Sequence, residues 1–214
     1  MDDVVVVVFA GGDAPLRTSV EDLSPETTHV VAADSGADHA RELGWAVHEA
    51  VGDFDSINPM TLIDLRAGLT VIDAHPTAKD ATDLELALDR AIDREPDRIV
   101  VVGGHGGRFD HWLGNTLLLT AEKYRGAALQ ARFGPTVVDV VWERLALTGR
   151  PGDLVSLFAV RAPVTGVSTT GLRYPLHDET LLPASSRGVS NELTATVAEV
   201  VVGEGPLVVV RPAE

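Results

Sequence analysis

The chain has no cysteine, which removes disulfide frameworks, thiolate metal sites and cysteine nucleophiles together. A reducing, cytoplasmic setting suits that lack. Lysine is almost as scarce: Lys79 and Lys123 are the only two among 17 basic residues, against 32 acidic ones. The net charge of -15 and pI near 4.7 argue against sequence-independent nucleic-acid binding, which needs a basic face to displace counterions from phosphate. An acidic surface also disfavours anionic membranes. No apolar run reaches the ~20 residues of a membrane span, and Met1-Asp2-Asp3 lacks the basic stretch that opens a signal peptide. No internal repeat or low-complexity tract is present. If the substrate is a phosphate ester, a metal must carry much of the positive charge, and a cationic second substrate suits the field of such a chain.

With 214 residues, 45% of them apolar, there is material for one large packed domain or two small ones. The first 135 residues alternate between short β-branched runs and helical patterns. Val4–Ala10, His29–Ala33, Glu49–Gly52, Leu69–Ala74 and Arg98–Gly103 read as strands, each ended by Gly, Asp or Pro. Leu84, Leu88, Ala91 and Ile92 predict a helix over Asp80–Arg94 stopped by Pro96, and Leu113, Leu117, Thr120 and Tyr124 predict another over Asp110–Tyr124. Alternation of this kind predicts an α/β, Rossmann-like domain over 1–135, with a parallel sheet whose ligands sit at the carboxyl ends of the strands. After Gly134-Pro135 the pattern changes to Val137–Trp142, Leu154–Val160, Leu193–Val202 and Leu207–Arg211, separated by glycine-rich turns. Residues 136–214 therefore read as a small antiparallel β domain. About 80 residues without disulfide or metal make a marginal core, so this domain is expected to pack on the first or on a second subunit.

Three aspartate clusters fall at the same phase of the strand-then-helix pattern: Gly52-Asp53-Phe54-Asp55-Ser56, Lys79-Asp80-Ala81-Thr82-Asp83 and Gly107-Arg108-Phe109-Asp110-His111. At about 6 Å and an effective dielectric near 20, two carboxylates repel by on the order of 3 kcal/mol. A divalent cation removes that repulsion, and magnesium prefers one or two carboxylates completed by water and phosphate oxygens. Asp53 and Asp55, two residues apart off a strand, point to one side; turn and helix capping are the alternative for each. Asp80 and Asp83 fit the first turn of a helix, where capping again competes with a site. In Gly103-Gly104-His105-Gly106-Gly107-Arg108 a glycine-rich turn runs from a strand into a helix, a form that lets N–H groups and Arg108 meet phosphate; for Asp110 a plain helix cap is the alternative reading. It is neither a Walker A loop nor a dinucleotide fingerprint. His105 and His111 are too scattered to suggest zinc. Ala33-Asp34-Ser35-Gly36-Ala37 is a strand-to-helix turn able to reach a ribose or phosphate.

Taken in order, these motifs resemble those of thiamine pyrophosphokinases, together with Gly171-Leu172-Arg173-Tyr174-Pro175-Leu176 and Gly188-Val189-Ser190-Asn191-Glu192. The resemblance implies an α/β catalytic domain joined to a β-sandwich. It also implies a homodimer with thiamine between the catalytic domain of one subunit and the β domain of the other. The implied reaction moves pyrophosphate from ATP to the hydroxyethyl group of thiamine, giving thiamine diphosphate and AMP. Asp53, Asp55 and Asp83 would then hold Mg2+, with Asp83 or Asp110 orienting or deprotonating the hydroxyl. Arg108, Gly106 and Gly107 would cradle phosphates, and Asp34, Ser35, Lys79, Asp80 and Thr82 would join the nucleotide site. Ser190 and Asn191 would contact thiamine, with Tyr174 as a stacking face. A pyrophosphokinase acting on another hydroxymethyl heterocycle such as a pterin, or a non-catalytic nucleotide sensor, are the alternatives.

Overall fold

Valine dominates the strands at the centre of the molecule. The computed structural model describes residues 3–212, and the chain divides into two units. The first runs to Leu118 and includes Gly126–Pro135; the second comprises Leu119–Arg125 and everything from Thr136. In the first unit β1 (Val5–Ala10), β2 (His29–Ala33), β3 (Glu49–Gly52), β4 (Val71–Ala74), β5 (Arg98–Gly103) and β6 (Ala128–Phe133) are all parallel, in the order β6-β5-β1-β2-β3-β4. Val6 to Phe9 and Ile99 to Val102 are fully buried, which explains unbroken apolar runs where a half-exposed strand would alternate.

The chain steps outward from β1 to β4 and then returns to β1's other side at β5. This creates a switch point between the carboxyl ends of β1 and β5, where open α/β sheets take ligands. The helices are α1 (Gly36–Glu42), α2 (Pro59–Ala67), α3 (Asp83–Ile92) and α4 (Phe109–Leu118). Helix α3 packs on β1, β2 and β3 through Leu84, Ala87, Leu88 and Ala91, and full burial of one leucine such as Leu88 stabilises by about 1.5–3 kcal/mol. Phe9 and Trp45 meet edge to face at 5.9 Å in the adjoining core with Val30, Val100 and Val102.

The second unit is antiparallel. One sheet orders β12 (Asn191–Glu192), β9 (Leu154–Ala159), β14 (Leu207–Arg211) and β7 (Thr136–Val141) side by side; the other orders β11 (Glu179–Leu181), β10 (Val164–Thr170), β13 (Val197–Val201) and β8 (Arg144–Thr148). One apolar cluster joins them, with Leu157, Leu207 and Val209 from the first and Leu147, Val167 and Val200 from the second. The architecture is therefore α/β followed by a β-sandwich. No helix among the described residues is long and apolar enough to cross a membrane.

Some boundaries differ from the sequence expectation. The helix expected from Asp80 starts at Asp83, because the Thr82 hydroxyl accepts from Glu85 N at 3.2 Å and makes Thr82 the cap. Asp80 is thus in the preceding loop and not on the first turn. The helix expected through Tyr124 ends at Leu118, with a separate 3-10 turn at Glu122–Tyr124, and its Leu113 and Leu117 are exposed instead of facing the core. The strand expected over Leu193–Val202 is interrupted between β12 and β13, where Leu193 N and Thr194 N donate to Asp153 O and Gly171 O. Strand β4 begins at Val71, two residues later than expected.

Candidate active site

At the switch point the loops after β1 and β5 are laced together: Gly104 N donates to Gly11 O at 2.7 Å and Asp13 N to His105 O at 2.8 Å. A cavity of about 900 Å3 opens here, walled by the glycine-rich turn 104–107, the residues after β2 and β3, and the start of α3. Asn115 of α4 donates to Gly104 O at 2.8 Å and fixes the helix to the turn. Gly106 has φ +107°, and a side chain there would collide with the Asp13 carboxylate, so the turn needs glycine to run this close to the wall. On the exposed rim, Arg108 forks onto Asp110 through Nε at 3.2 Å and Nη2 at 2.6 Å. That fork holds the Asp110 carboxyl below its ordinary pKa and raises that of Arg108.

Deeper in the cavity three carboxylates converge. Asp34, Asp53 and Asp83 each offer an oxygen, all within 4.8 Å of one another. Asp34 follows β2, Asp53 follows β3 and Asp83 opens α3, so strand adjacency and one crossing helix bring together residues far apart in sequence. Asp34 has φ +47° and Phe54 φ +59°, left-handed conformations that cost non-glycine residues energy and cluster at functional sites. Gly52 lies between them; a Cβ on it would come within 3.0 Å of Asp83 Oδ1 and 3.2 Å of Asp34 Cβ. Its missing side chain is what permits the convergence.

The charge of this group is incompletely balanced. Asp34 is 7% exposed; Oδ2 accepts from the Ser56 hydroxyl, while the buried Oδ1 has no partner. Burial raises its pKa, Ser56 opposes the rise, and Asp83, Asp53 and Asp55 add to it. Lys79 is the cation at hand: Nζ lies 2.9 Å from Asp83 Oδ1 and 3.5 Å from Asp53 Oδ2. The first contact is an ion pair without hydrogen-bond geometry, since Asp83 Oδ1 is also a buried atom lacking a hydrogen bond. Burial works against the pKa of Asp53, but the Asp55 N–H, Thr77 and Lys79 together hold it low. An unpartnered buried oxygen among three carboxylates fits a hard cation with oxygen ligands.

Of the residues singled out from sequence, Asp34, Ser35, Asp53, Asp55, Lys79, Thr82, Asp83, Gly106, Gly107, Arg108 and Asp110 all line this cavity, and Asp80 does not. Asp55 is on the wall, outside the trio of converging carboxylates, and Asp34 takes the third place in it. In the second unit, Asn191 is 2% exposed. Its Oδ1 accepts from Tyr174 N and Glu192 N at 3.0 Å, and its Nδ2 donates to Tyr174 O at 2.8 Å. The amide therefore holds the Tyr174 loop against β12. Tyr174 is 53% exposed with Arg173 5.7 Å from its ring centre, and Ser190, at φ +57°, donates its N–H to Ser156 Oγ at 3.0 Å.

Sequence reasoning misses Asp13, Thr77 and Asn115, and it assigns no role to Ser56 although that residue stands in the first aspartate cluster. Asp13 has a usable signal: Gly11-Gly12-Asp13 follows β1 as the glycine-rich turn follows β5.

Comparison with known proteins gives a consistent result. Residues 20–130 match the family model described as thiamin pyrophosphokinase, catalytic domain, and residues 144–207 match the thiamin pyrophosphokinase vitamin B1 binding domain. The chain is similar to the thiamine pyrophosphokinase of Bacillus subtilis, 28% identical over 216 residues spanning 95% of this chain and 96% of the relative. Crystal structures of thiamine pyrophosphokinases from B. subtilis and Geobacillus thermodenitrificans superpose with TM-scores of 0.84 and 0.81, each at 26% identity. The first covers 98% of this chain and 99% of that one, the second 99% and 98%.

Proposed function

The chain belongs to the thiamin pyrophosphokinase family, and from that premise we propose that it transfers the pyrophosphoryl group of ATP to the hydroxyethyl oxygen of thiamine, giving thiamine diphosphate and AMP. The observation that carries this reading is the convergence of Asp34, Asp53 and Asp83 beside a glycine-rich turn in one cavity. Phosphoryl-type transfer asks for positioning and charge neutralisation more than for a covalent nucleophile, and carboxylates, glycines and one exposed arginine meet that demand.

Asp34, Asp53 and Asp83 would hold Mg2+, with Asp55 on the same wall. When bound, the cation neutralises phosphate charge and eases departure of the leaving group. Residues 104–107 supply a close backbone surface for the phosphates, and Arg108 exchanges its contact with Asp110 for phosphate oxygens. The hydroxyethyl oxygen forms a bond to the β-phosphorus, the bond from that phosphorus to the α,β-bridging oxygen breaks, and AMP leaves with that electron pair. The hydroxyl proton passes to a carboxylate of the wall. Asp110, released when Arg108 turns to the phosphates, is suited to accept the hydroxyl's hydrogen bond. Residues 1–135 serve ATP and magnesium in this reading and 136–214 serve thiamine, where the exposed Tyr174 ring offers a stacking face beside Ser190 and Asn191 acts by holding it. The working form is taken as a cytoplasmic homodimer, for which sedimentation should give twice the 22.6 kDa chain mass.

Incubation with Mg-ATP and thiamine is expected to release AMP and thiamine diphosphate in equal amounts. AMP release with a hydroxymethylpterin but not with thiamine, or nucleotide binding without acceptor-dependent AMP, overturns the reading.

A further inference from the structure

Lys79 occupies an unusual position for an ammonium group. Its side chain is 14% exposed, and its two carboxylate contacts belong to Asp53 and Asp83, two of the three residues whose oxygens converge within 4.8 Å. Three negative charges thus face one positive charge, and Asp34 Oδ1 is still without a partner. A divalent ion held by the same oxygens would be repelled by the ammonium beside it, so the two cations compete for one cage.

The choice of residue is informative too. Only two of the 17 basic residues are lysine. Elsewhere Asp22, Glu49, Asp73 and Asp139 are all paired with arginine. An arginine fork locks onto a carboxylate at two points, whereas an ammonium on a flexible four-carbon stem holds at one point and can swing away. Lys79 lies in the loop between β4 and α3, outside any regular element, and it lines the same cavity as Gly106, Gly107 and Arg108. Its ammonium can change partners with no change of secondary structure.

We infer that Lys79 is a displaceable counter-ion, which holds Asp53 and Asp83 together until a divalent cation takes its place and then moves to the phosphate oxygens of the nucleotide. The inference rests on the reading of the cavity as a site for magnesium and ATP. It makes metal and nucleotide binding mutually reinforcing: metal alone must evict the lysine, and nucleotide supplies the evicted ammonium with a new partner. Such coupling is reciprocal.

The test is Mn2+ binding by calorimetry to the wild type and Lys79→Met, with and without the α,β-methylene analogue of ATP. Lys79→Met is expected to bind Mn2+ alone about tenfold more tightly than the wild type, and the enhancement of Mn2+ affinity by the analogue is expected to shrink about tenfold. The metal-free variant should also melt below the wild type and recover when Mn2+ is added. Unchanged or weaker Mn2+ binding by Lys79→Met, or full retention of the enhancement, overturns the inference. Should Lys79→Met fail to fold, Lys79→Arg replaces it; its fork is expected to weaken Mn2+ binding without nucleotide, and wild-type Mn2+ affinity in that variant overturns the inference equally. A wild type that makes AMP from ATP and thiamine while the Lys79 variants bind Mn2+ unchanged removes the lysine role alone. Coupled binding in a wild type that never forms AMP removes the proposed function and leaves the lysine role in place.

Discussion

Strand β3 and helix α3 run side by side and carry acidic groups at both ends, yet the two ends treat charge in opposite ways. At the amino end of β3, Glu49 accepts from Arg94 through Nε at 2.9 Å and Nη2 at 2.6 Å, and lies 2.9 Å from His29 Nε2. At the carboxyl end, Asp53 meets Asp34 and Asp83 with one lysine among them and an unpartnered buried oxygen. Glu49 Oε1 therefore has partners in Arg94 and His29, whereas Asp34 Oδ1 and Asp83 Oδ1 are buried without a hydrogen bond. The lesson is that burial of an acid does not mark a site; burial without sufficient counter-charge does.

The largest effect should come from the unbalanced end. Asp83→Asn and Asp53→Asn are each expected to lower turnover by about three orders of magnitude, equivalent to several kcal/mol of transition-state stabilisation, measured as thiamine-dependent AMP release. Neither should unfold the protein in circular dichroism, and a collapse of the fold would move these residues to the structural side of the comparison. The balanced end should show the reverse. Arg94→Met leaves Glu49 largely buried with only His29, and is expected to cost about 2 kcal/mol in urea unfolding once discounted for the exposure of Arg94, while turnover of the folded enzyme is unchanged.

Acid should sharpen the contrast. Burial pushes the Glu49 pKa up, but Arg94 and then His29 outweigh it and the net direction is down. Its stabilisation is thus complete above the ordinary value of 4.5 and lost as pH falls through the lower folded value. Burial also lowers the His29 pKa, with Glu49 opposing; this contribution is full above 6.5 and declines as pH falls towards the folded value. Melting temperature should therefore fall from pH 7 to pH 4 less steeply in a His29→Gln, Glu49→Gln double variant than in the wild type. An equal slope would remove this cluster from the acid response. The smallest effect is local: Thr82→Ala removes the cap of α3 and is expected to cost about 1 kcal/mol of stability, with a modest fall in turnover because Asp83 is the next residue.

Much of this contrast is legible in the amino-acid sequence. Valine runs locate β1, β2 and β5, and the change of pattern after Pro135 announces an antiparallel β region. Asp53, Lys79 and Asp83 stand out because acids recur at strand ends. The role of Asp34 is less visible, since its approach to Asp83 depends on β2 lying beside β3, on α3 crossing both, and on the missing side chain of Gly52. No local pattern encodes that adjacency. Asp80 is misplaced by sequence for a different reason: Thr82 competes for the cap and starts the helix three residues later. Asn191 stands out in its motif, but only the packed loop reveals that its amide is used to hold Tyr174.

Thermal unfolding with and without Mg2+ in the wild type, Asp34→Asn and Glu49→Gln tests most directly which end of the sheet holds the cation. The expected result is a Mg2+-dependent rise in melting temperature in the wild type and in Glu49→Gln, and none in Asp34→Asn. A full Mg2+-dependent rise in Asp34→Asn, or its loss in Glu49→Gln, would contradict the account.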